Sequence, residues 1–449
     1  MFDCAIIGAG LAGLTAALDL RARGLSLVVL EARARVGGRV DNGYLDDGQY
    51  VELGGQWIGA GHDSLLDLAD RYGIGTVGVP APGAMRVRHH GQAHSLESGA
   101  PGQVLTPFEV SDLAQGILRL RRLGQRRRDD AVWAQANQAW LGQDLQRWIT
   151  SNLRTGGARD RLLDAFDGAL GGVGPGVSLA QGIDQVQAGT ELDAMLVANG
   201  GLNQLRIAGG VYELCQAIAA DLGDLVRLSS PVTHVTHTDA SACLRIADGS
   251  QFTAKRIIST MPPRLAVALD YEPALALWRA ELADKVPAGN VIKAFLVYEK
   301  PFWRDEGLSG QSSADDGAVR VTLDTTTDPD GHGVLMGFFE GAEAESLAAR
   351  SAQLRERAFT EAAVRMFGEQ AARPLSYLER DWSAEEFTRG CHGAHFAPGV
   401  WGGNGPALAE PDGVVHWAGS EYAAKFNGYL EGAVRSARAV AGDVARALA

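Results

Sequence analysis

The first thirty residues change from a continuous apolar run to helical apolar spacing and back again. Residues 2 to 7 are mostly apolar, which predicts a short buried strand. Apolar side chains then recur at helical spacing from Leu11 to Ala22, and Gly24 is suited to end the helix that this spacing predicts. A second apolar run covers residues 25 to 30. The pattern predicts a strand, a helix and a strand within one short unit.

Helical and alternating patterns share the rest of the chain. Residues 105 to 205 have Ala, Leu and Gln at helical spacing and are predicted to be mostly helical, with three tryptophans as core residues: Trp133, Trp140 and Trp148. Shorter runs predict strands within residues 225–235, 243–258, 291–297, 318–323 and 414–417. From Tyr429 onward, helical spacing predicts a long amphipathic helix.

The turn between the first strand and the first helix has the sequence Gly8-Ala9-Gly10-Leu11-Ala12-Gly13, a G-x-G-x-x-G motif. Gly8 permits a tight turn, Gly10 lets the backbone approach a pyrophosphate, and Gly13 lets the helix pack closely on the strand. Glu31 follows the second strand, close to the distance of about 20 residues at which an acidic side chain binds a ribose. The unit therefore predicts dinucleotide binding, and Glu31 would repel a 2′-phosphate.

Composition and charge restrict the partners. Glycine supplies 57 of the 449 residues, against about 7% in an average protein, which favours tight turns and close backbone contacts with a ligand. The formal net charge of −13 disfavours nucleic acid and anionic membrane surfaces as partners. An arginine cluster at residues 119–128 is predicted to be a solvated helix face. Four scattered cysteines and the lack of a long apolar segment predict a soluble, cytoplasmic protein with no membrane attachment.

The residues after the second strand distinguish between dinucleotides. The run E-A-R-A-R-V-G-G-R, from Glu31 to Arg39, resembles the second signature of flavoproteins of the amine oxidase and glutathione reductase group. Two guanidinium groups, Arg33 and Arg39, and a glycine pair that includes Gly38 would suit a second phosphate and a bulky ring. The resemblance implies FAD as the cofactor, and a solvated arginine-rich loop is the alternative.

Further segments, in the same order along the chain, resemble blocks of the flavin-dependent monoamine oxidase family. They comprise residues 51–59, 199–210, 230–232, 291–304, 377–399 and 417–433. The resemblance implies an α/β fold, with a Rossmann-like FAD-binding domain of the amine oxidase/glutathione reductase type and an inserted α+β substrate domain. The implied FAD-binding domain is discontinuous, with residues 1–76, 204–280 and 385–449. Residues 77–203 and 281–384 are left for the substrate-binding domain.

The same resemblance implies which residues contact FAD. Besides the N-terminal residues already named, they are Gly54, Gly55, Gln56, Trp57, Val232, Trp382, Cys391, Gly419, Ser420, Glu421, Tyr429 and Leu430. Cys391 holds the position at which membrane-bound members of the family attach the flavin through a thioether. Other members bind the flavin without a covalent bond, so both modes of attachment stay open. The last helix, which begins near Gly428, is expected to direct its N–H groups at the pyrimidine end of the flavin.

Three residues are candidates for catalysis. Lys293 lies in an apolar strand, where an ammonium is costly to bury. The resemblance implies that Lys293 holds a water beside flavin N5 and assists reoxidation by dioxygen, whereas the alternative is a lysine that reaches solvent at a strand edge. Tyr429 corresponds to one wall of the family's aromatic cage. His392 replaces the usual tyrosine of the second wall, which changes the expected substrate range because imidazole is smaller and titratable.

These residues together predict an enzyme that oxidises a small-molecule amine with FAD. The imine product would be hydrolysed to an aldehyde or ketone, and dioxygen would be reduced to hydrogen peroxide. An L-amino acid oxidase, with Arg86 as its carboxylate-binding residue, is one alternative. An amine dehydrogenase with a protein electron acceptor and a flavin-binding scaffold without turnover are the others. No metal is expected, since Cys391, His392 and His395 lack further ligands nearby. The oligomeric state stays open, with a homodimer as one option.

Overall fold

The computed structural model describes most of the chain. The described residues are 1–79, 82–89, 91–97, 105–170, 176–187, 205–286, 288–328, 330–394, 398–400 and 406–449. Two large β-sheets lie within these ranges, and helices cover them. The mixed α/β architecture agrees with the fold class that the sequence predicts.

The first sheet contains the N-terminal strand near its centre. In spatial order its described strands are Asp270–Glu272, Val232–His237, Ala242–Ile246, Gln251–Ser259, Phe2–Ile7, Leu27–Leu30 and Val226–Arg227, and Val415–Trp417 also pairs with Gln251–Ser259. Phe2–Ile7 is parallel to both of its neighbours, and Val415–Trp417 is parallel to Gln251–Ser259. The carboxyl ends of these strands therefore meet at one edge of the sheet, which is where ligands bind in open α/β sheets.

The first helix, Leu11–Ala22, confirms the βαβ prediction. It follows Gly10 directly, and the chain leaves it through Gly24, whose φ of +77° favours glycine. Most of its residues are buried, since it packs against the first sheet and against the C-terminal helix Leu430–Leu448. The helix is consequently apolar on nearly all faces rather than amphipathic.

The second sheet supplies the buried strand that the sequence predicts near residue 293. In spatial order its described strands are Ser376–Asp381, Val291–Tyr298, Gly333–Glu340, Val321–Asp324, Leu308–Ala314, Ala84–His89 and Gln92–Glu97. All residues of Val291–Tyr298 are buried between two antiparallel neighbours, and Lys293 lies opposite Phe338 and Arg380. The strand predicted from residue 318 begins only at Val321. Among the described residues, three small two-stranded sheets pair Asn42–Tyr44 with Tyr50–Glu52, Thr76–Gly78 with Leu205–Ile207, and Ala288–Gly289 with Cys391–Ala394.

Helices make up most of the described part of residues 105–205, as predicted. Besides the two already named, the described ranges contain the α-helices Asp63–Arg71, Pro107–Asp129, Ala131–Ala136, Gln138–Leu141, Leu145–Asn152, Gly156–Leu170, Leu179–Gln187, Val211–Leu222, Pro263–Ala266, Leu277–Ala280, Leu282–Lys285, Gly341–Ala348 and Ala352–Phe367. Across the described ranges, no helix combines the length and the apolar character that a bilayer crossing requires.

The three tryptophans of this helical region differ in burial. Trp148 is buried and Trp133 is partly buried against the core. Trp140 is 43% exposed, so its predicted place in the core is wrong. Its short helix, Gln138–Leu141, buries only Leu141, and the Trp140 ring lies edge-on against Trp133 with 6.5 Å between ring centroids.

Candidate active site

A cavity of about 1210 Å³ lies at the carboxyl edge of the first sheet. Ile7 and Leu30 line it at the ends of their strands, and Lys293 and Phe338 line it from the second sheet. Most of the predicted cofactor residues also line it: Gly8, Gly10, Glu31, Arg33, Gly38, Arg39, Gly54, Gly55, Gln56, Trp57, Val232, Trp382, Cys391, Gly419, Ser420, Tyr429 and Leu430. The structure thus brings residues from the whole length of the chain to one site.

The glycine turn leaves no space for larger residues at Gly8 and Gly13. Gly8 has a φ of +100°, and a Cβ on Gly13 would lie 1.9 Å from the carbonyl oxygen of Gly8. Gly13 itself therefore packs behind the turn, while Leu11 and Ala12 line the cavity. Gly10 offers no side-chain cap to the helix. The N–H groups of the first helical turn have no partner within the helix and are suited to bind phosphate oxygens.

Glu31 lies beside this turn in a buried position. Its side chain is nearly inaccessible, and its carboxylate accepts hydrogen bonds from the backbone N–H of Ala9 at 2.7 Å and of Arg33 at 2.9 Å. The N–H of Ser230 donates to the Glu31 carbonyl at 2.7 Å and so brings the start of the strand Val232–His237 to the same end of the cavity. This arrangement suits a ribose and a base.

Arg39 connects the N-terminal loop to the C-terminal segment. Its guanidinium donates to both carboxylate oxygens of Glu421, at 2.6 and 2.8 Å, and to Oγ of Ser420 at 3.1 Å. Glu421 is buried behind Arg39 rather than in the cavity lining. Burial raises the pKa of Glu421, but the charge of Arg39 together with the hydrogen bonds from Arg39 and Ser420 holds that pKa below its ordinary value. Arg35, by contrast, donates to carbonyls of its own loop.

Lys293 is buried in the cavity wall instead of reaching solvent. Its ammonium donates to the carbonyl oxygen of Glu52 at 2.5 Å, to that of Gly54 at 2.9 Å, and to Oε1 of Gln56. A lysine ammonium has three N–H donors, so each one has a protein acceptor. Because lysine can only donate, the oxygen of the Gln56 amide must be the atom that faces it.

Two further charged groups lie close behind Lys293, and the sequence did not indicate either of them as part of the site. Glu52 and Arg206 are 3% and 2% exposed, and 3.7 Å separates a carboxylate oxygen of Glu52 from Nη1 of Arg206. Burial lowers the pKa of Lys293 to about 7 and raises that of Glu52 to about 7. An acidic residue inside the apolar run Val51-Glu52-Leu53 was the available signal for Glu52.

Trp382 and Cys391 line the same cavity as Lys293. The Trp382 indole is 1% exposed and donates from Nε1 to the carbonyl of Leu53 at 2.9 Å. The N–H of Gly390 donates to the Trp382 carbonyl at 2.8 Å and leads the chain into Cys391–Ala394. Cys391 is partly exposed and lines the cavity, so its thiol is accessible to a bound molecule.

Tyr429 stands at the start of the C-terminal helix. It is partly buried, and its ring lies edge-on to that of His62 with 6.0 Å between centroids. His62 is fully buried and also contacts Phe426 at 5.0 Å. Burial lowers the pKa of His62 to about 4, so the imidazole is neutral at physiological pH. Sequence reasoning missed this support for Tyr429 because a lone histidine in a loop carries no distinctive pattern.

Some residues that the sequence predicts for the site are not described by the structure, and one lies outside the described cavity lining. The side chain of His392, the residue His395 and the run Asn199–Gly201 lie outside the described residues. Arg86 donates to the carbonyl of Met366 at 3.0 Å and to Ser95 Oγ at 2.7 Å, and it lies outside the described cavity lining. Within the described ranges, no group of three or more His, Cys, Asp or Glu side chains could hold a metal ion.

The residues of the cavity fit FAD. The glycine turn at a helix N-terminus suits a pyrophosphate, and the buried carboxylate of Glu31 suits a ribose. At the other end of the cavity, Gly54 and Gly55 form a closely packed part of the wall. A Cβ on Gly55 would lie 3.3 Å from Leu430, and one on Gly54 would lie 2.2 Å from the Arg39 carbonyl. The fold and the site together define a flavin-binding oxidoreductase.

Comparison with known proteins identifies the family. Residues 11–445 match the family model of flavin containing amine oxidoreductases, and the chain belongs to this family. A flavin-containing amine oxidase of Danio rerio is 32% identical over 450 residues, which cover 99% of this chain and 85% of the relative. An L-amino acid dehydrogenase of Synechocystis is 31% identical over 454 residues, covering 98% of this chain and 94% of the relative.

A solved structure agrees with this assignment. A double mutant of a putrescine oxidase, made to redesign cofactor binding, superimposes with a TM-score of 0.93 at 29% identity, covering 99% of this chain and 98% of that chain. The chain is therefore an FAD-dependent amine oxidase, as its sequence predicts.

Proposed function

We propose that the protein oxidises a small amine to an imine and uses dioxygen as its electron acceptor. The observation that carries this proposal is the buried ammonium of Lys293 in the wall of a cavity that fits FAD. When bound, FAD accepts the two electrons and the hydrogen that leave the amine carbon. Dioxygen then takes up the two electrons with two protons and becomes hydrogen peroxide. Water hydrolyses the imine to an aldehyde or ketone and releases the nitrogen as ammonia or a smaller amine.

The residues of the two ends of the cavity have different proposed tasks. Gly8 forms the tight turn, Gly10 and the first turn of the helix Leu11–Ala22 offer backbone N–H groups to the pyrophosphate, and Glu31 accepts hydrogen bonds from the adenosine ribose. Arg39, fixed by Glu421, adds positive charge beside the phosphates. The remaining predicted contacts all line the cavity and complete the proposed cofactor site. They are Arg33, Gly38, Gly54, Gly55, Gln56, Trp57, Val232, Trp382, Gly419, Ser420 and Leu430.

Lys293 acts on the reoxidation half of the cycle in this proposal. A positive charge in the wall favours electron transfer to dioxygen because it stabilises the negative charge that develops. The three N–H groups of Lys293 are already bound to protein acceptors. The effect therefore comes from the charge of the ammonium and needs no bound water, unlike the role that the family resemblance implies.

The aromatic wall restricts the approach of the amine. Tyr429 offers a ring face to the nitrogen, and His62 supports that ring from behind. His392 would form the second wall. We propose that its imidazole admits amines with a polar group, since it is smaller than tyrosine and can form hydrogen bonds.

An L-amino acid substrate is the second candidate, because one relative is an L-amino acid dehydrogenase. Such a substrate needs a cationic group for its carboxylate. Arg86 is engaged by Met366 and Ser95 away from the cavity, which disfavours the residue that the sequence suggested for this task. Arg88 lines the cavity but lies 3.2 Å from Asp316. Two further arginines, Arg161 and Arg320, also line the cavity, so a substrate with a carboxylate stays the second candidate.

The division into two domains is also a proposal. It assigns residues 1–76, 204–280 and 385–449 to FAD and residues 77–203 and 281–384 to the substrate. Strand membership supports it, since the described strands of the first large sheet fall in the first set and those of the second large sheet fall in the other. None of the four cysteines, all of which lie within the described ranges, forms a disulfide, and this supports a reducing, cytoplasmic location.

Anaerobic titration tests the function. Purified protein is expected to contain about one FAD per chain, and at least one member of a panel of primary, secondary and cyclic amines should bleach the flavin. Readmission of air should restore the colour and release one equivalent of hydrogen peroxide. Bleaching by amino acids alone would favour the second candidate. A flavin that amines reduce but air does not reoxidise would overturn dioxygen as the acceptor.

Cys391 is the residue that we propose for any covalent attachment of the flavin, because its thiol lines the cavity. Acid denaturation separates the two modes. A tethered flavin stays yellow in the pellet and yields a cysteinyl-flavin peptide on digestion, whereas a free flavin passes completely into the supernatant. The Cys391→Ser variant is the control, since it should release its flavin in either case.

A further inference from the structure

Three ionisable side chains meet behind the Gly54–Gly55 wall of the cavity. Glu52, Arg206 and Lys293 are each at most 3% exposed. They come from three separate strands, Tyr50–Glu52, Leu205–Ile207 and Val291–Tyr298. Isolated charges are rarely buried so deeply, because loss of water costs several kcal/mol for each ion. The cluster therefore needs an explanation beyond packing.

Each member of the cluster is held by its own contacts. The carboxylate of Glu52 accepts from the N–H of Val211 at 3.1 Å, and the backbone carbonyl of the same residue accepts from Lys293. Arg206 donates from Nη1 to the carbonyl of Thr325 at 3.3 Å. These bonds fix the positions of the charges relative to the ammonium.

The signs of the charges have opposite consequences for Lys293. Burial disfavours its protonated form, and so does the positive charge of Arg206. Glu52 acts in the other direction, as does Cys391 when it is a thiolate. Without a nearby anion, a lysine as buried as this one would be neutral at physiological pH and would lack the charge that favours reoxidation.

We propose that Glu52 and Arg206 are positioning residues that set the charge of Lys293: Glu52 keeps the buried ammonium protonated, and Arg206 limits how strongly it does so. The inference rests on the proposed role of Lys293 in reoxidation. The pH dependence of reoxidation then depends on Lys293, Glu52 and Arg206 together, although only Lys293 of these three lines the cavity.

Two variants test the proposal through opposite shifts. The rate of reoxidation by dioxygen should fall as pH rises through the pKa of Lys293, about 7 in the native protein, because the ammonium loses its proton. Glu52→Gln keeps the shape and an acceptor for Val211 but removes the negative charge, so the midpoint should move about one pH unit lower. Adding Arg206→Gln removes the repelling charge as well, and the midpoint should return toward the native value.

This return distinguishes an electrostatic role from a structural one. A second buried substitution that merely disturbs the fold moves the enzyme further from native behaviour, so a double variant with a lower midpoint than Glu52→Gln would overturn the proposal. Equal midpoints in all three proteins would overturn it too. Asp112→Asn is the matched control: Asp112 is a buried carboxylate that accepts from the N–H groups of Arg154 and Thr155 outside the cavity lining, and its loss should leave the midpoint unchanged.

A measurement without turnover provides a second check. The absorption band of the resting oxidised flavin should respond to pH with the same three midpoints, since the charge of Lys293 acts on the bound ring whether or not substrate is present. Lys293→Met should abolish this response. If Lys293→Met leaves both reoxidation and the spectrum unchanged, the proposed function of Lys293 fails. If Lys293→Met has its expected effect but the Glu52 and Arg206 variants keep the native midpoints, the present inference fails and the proposed function of Lys293 stands.

Discussion

The two ends of the cavity are built in different ways. The core of the proposed phosphate end is one continuous stretch, from Gly8 to Glu31, and its glycine turn offers backbone groups whose positions depend on the absence of side chains. The Lys293 end collects Glu52 and Arg206 from separate strands and Trp382 from the turn after a third strand, and it depends on buried side chains. The glycine turn of the first end is polar through its peptide groups, whereas the second end is polar through the buried ionisable side chains of Lys293, Glu52 and Arg206.

Because of this difference, we expect FAD binding to depend mainly on the phosphate end and the reaction rates to depend mainly on the Lys293 end. Peptide N–H groups do not titrate, so the phosphate end should hold FAD equally well over a wide pH range. Buried lysine and glutamate change their charge near neutral pH, so the other end is sensitive to pH and to single charge changes. Substitutions at the phosphate end should therefore affect occupancy, and substitutions at the Lys293 end should affect rates.

The largest effect is expected for Gly13→Val. The added Cβ would lie 1.9 Å from the Gly8 carbonyl, so the helix must move away from the turn that we propose for the pyrophosphate. We expect FAD to bind at least 1000-fold more weakly, about 4 kcal/mol, in a fluorescence titration of the apoprotein. Gly75→Ala is the control, since nothing lies within 4 Å of its new Cβ. Retention of one FAD per chain after purification would show that the turn does not bind the pyrophosphate.

A smaller but still substantial effect is expected for Arg39→Met, which leaves Glu421 buried without its cation. Breaking a buried pair on one side costs about 3 kcal/mol, and urea denaturation of the holoprotein should show a loss of that size. Arg446→Met is the control, because the Arg446 and Asp443 side chains are largely exposed. An equal loss in both variants would mean that the Arg39 pair is no stronger than a surface pair.

The third prediction concerns the rates of the two half-reactions at the Lys293 end of the cavity. Lys293→Met preserves an apolar stem but deletes the ammonium, so reoxidation by dioxygen should slow at least tenfold, about 1.4 kcal/mol of barrier, with little change in anaerobic reduction. Stopped-flow measurement of the two half-reactions decides between the roles. Lys300→Met, at an exposed position near the end of the same strand, is the control. If reduction collapses while reoxidation is unaltered, Lys293 is a substrate or structural residue.

Much of the fold was predictable because its signals are local. The strand Phe2–Ile7, the glycine turn and the helix Leu11–Ala22 follow from apolar spacing and from the special geometry of glycine. The buried strand around Lys293 was predictable for the same reason. Trp140 shows the limit of such patterns, since apolar character alone did not reveal that its short helix turns the ring outward.

The sequence by itself determined that the chain binds a dinucleotide, that the dinucleotide is FAD and that Lys293 is unusual, because motifs and apolar runs depend on neighbouring residues. Only the tertiary structure decided that Lys293 donates hydrogen bonds to Glu52, Gly54 and Gln56 from all three of its N–H groups, and that Arg206 lies beside Glu52. The physical reason is that electrostatic interaction depends on distance in space and on burial. Neither quantity can be read from residues that lie far apart along the chain.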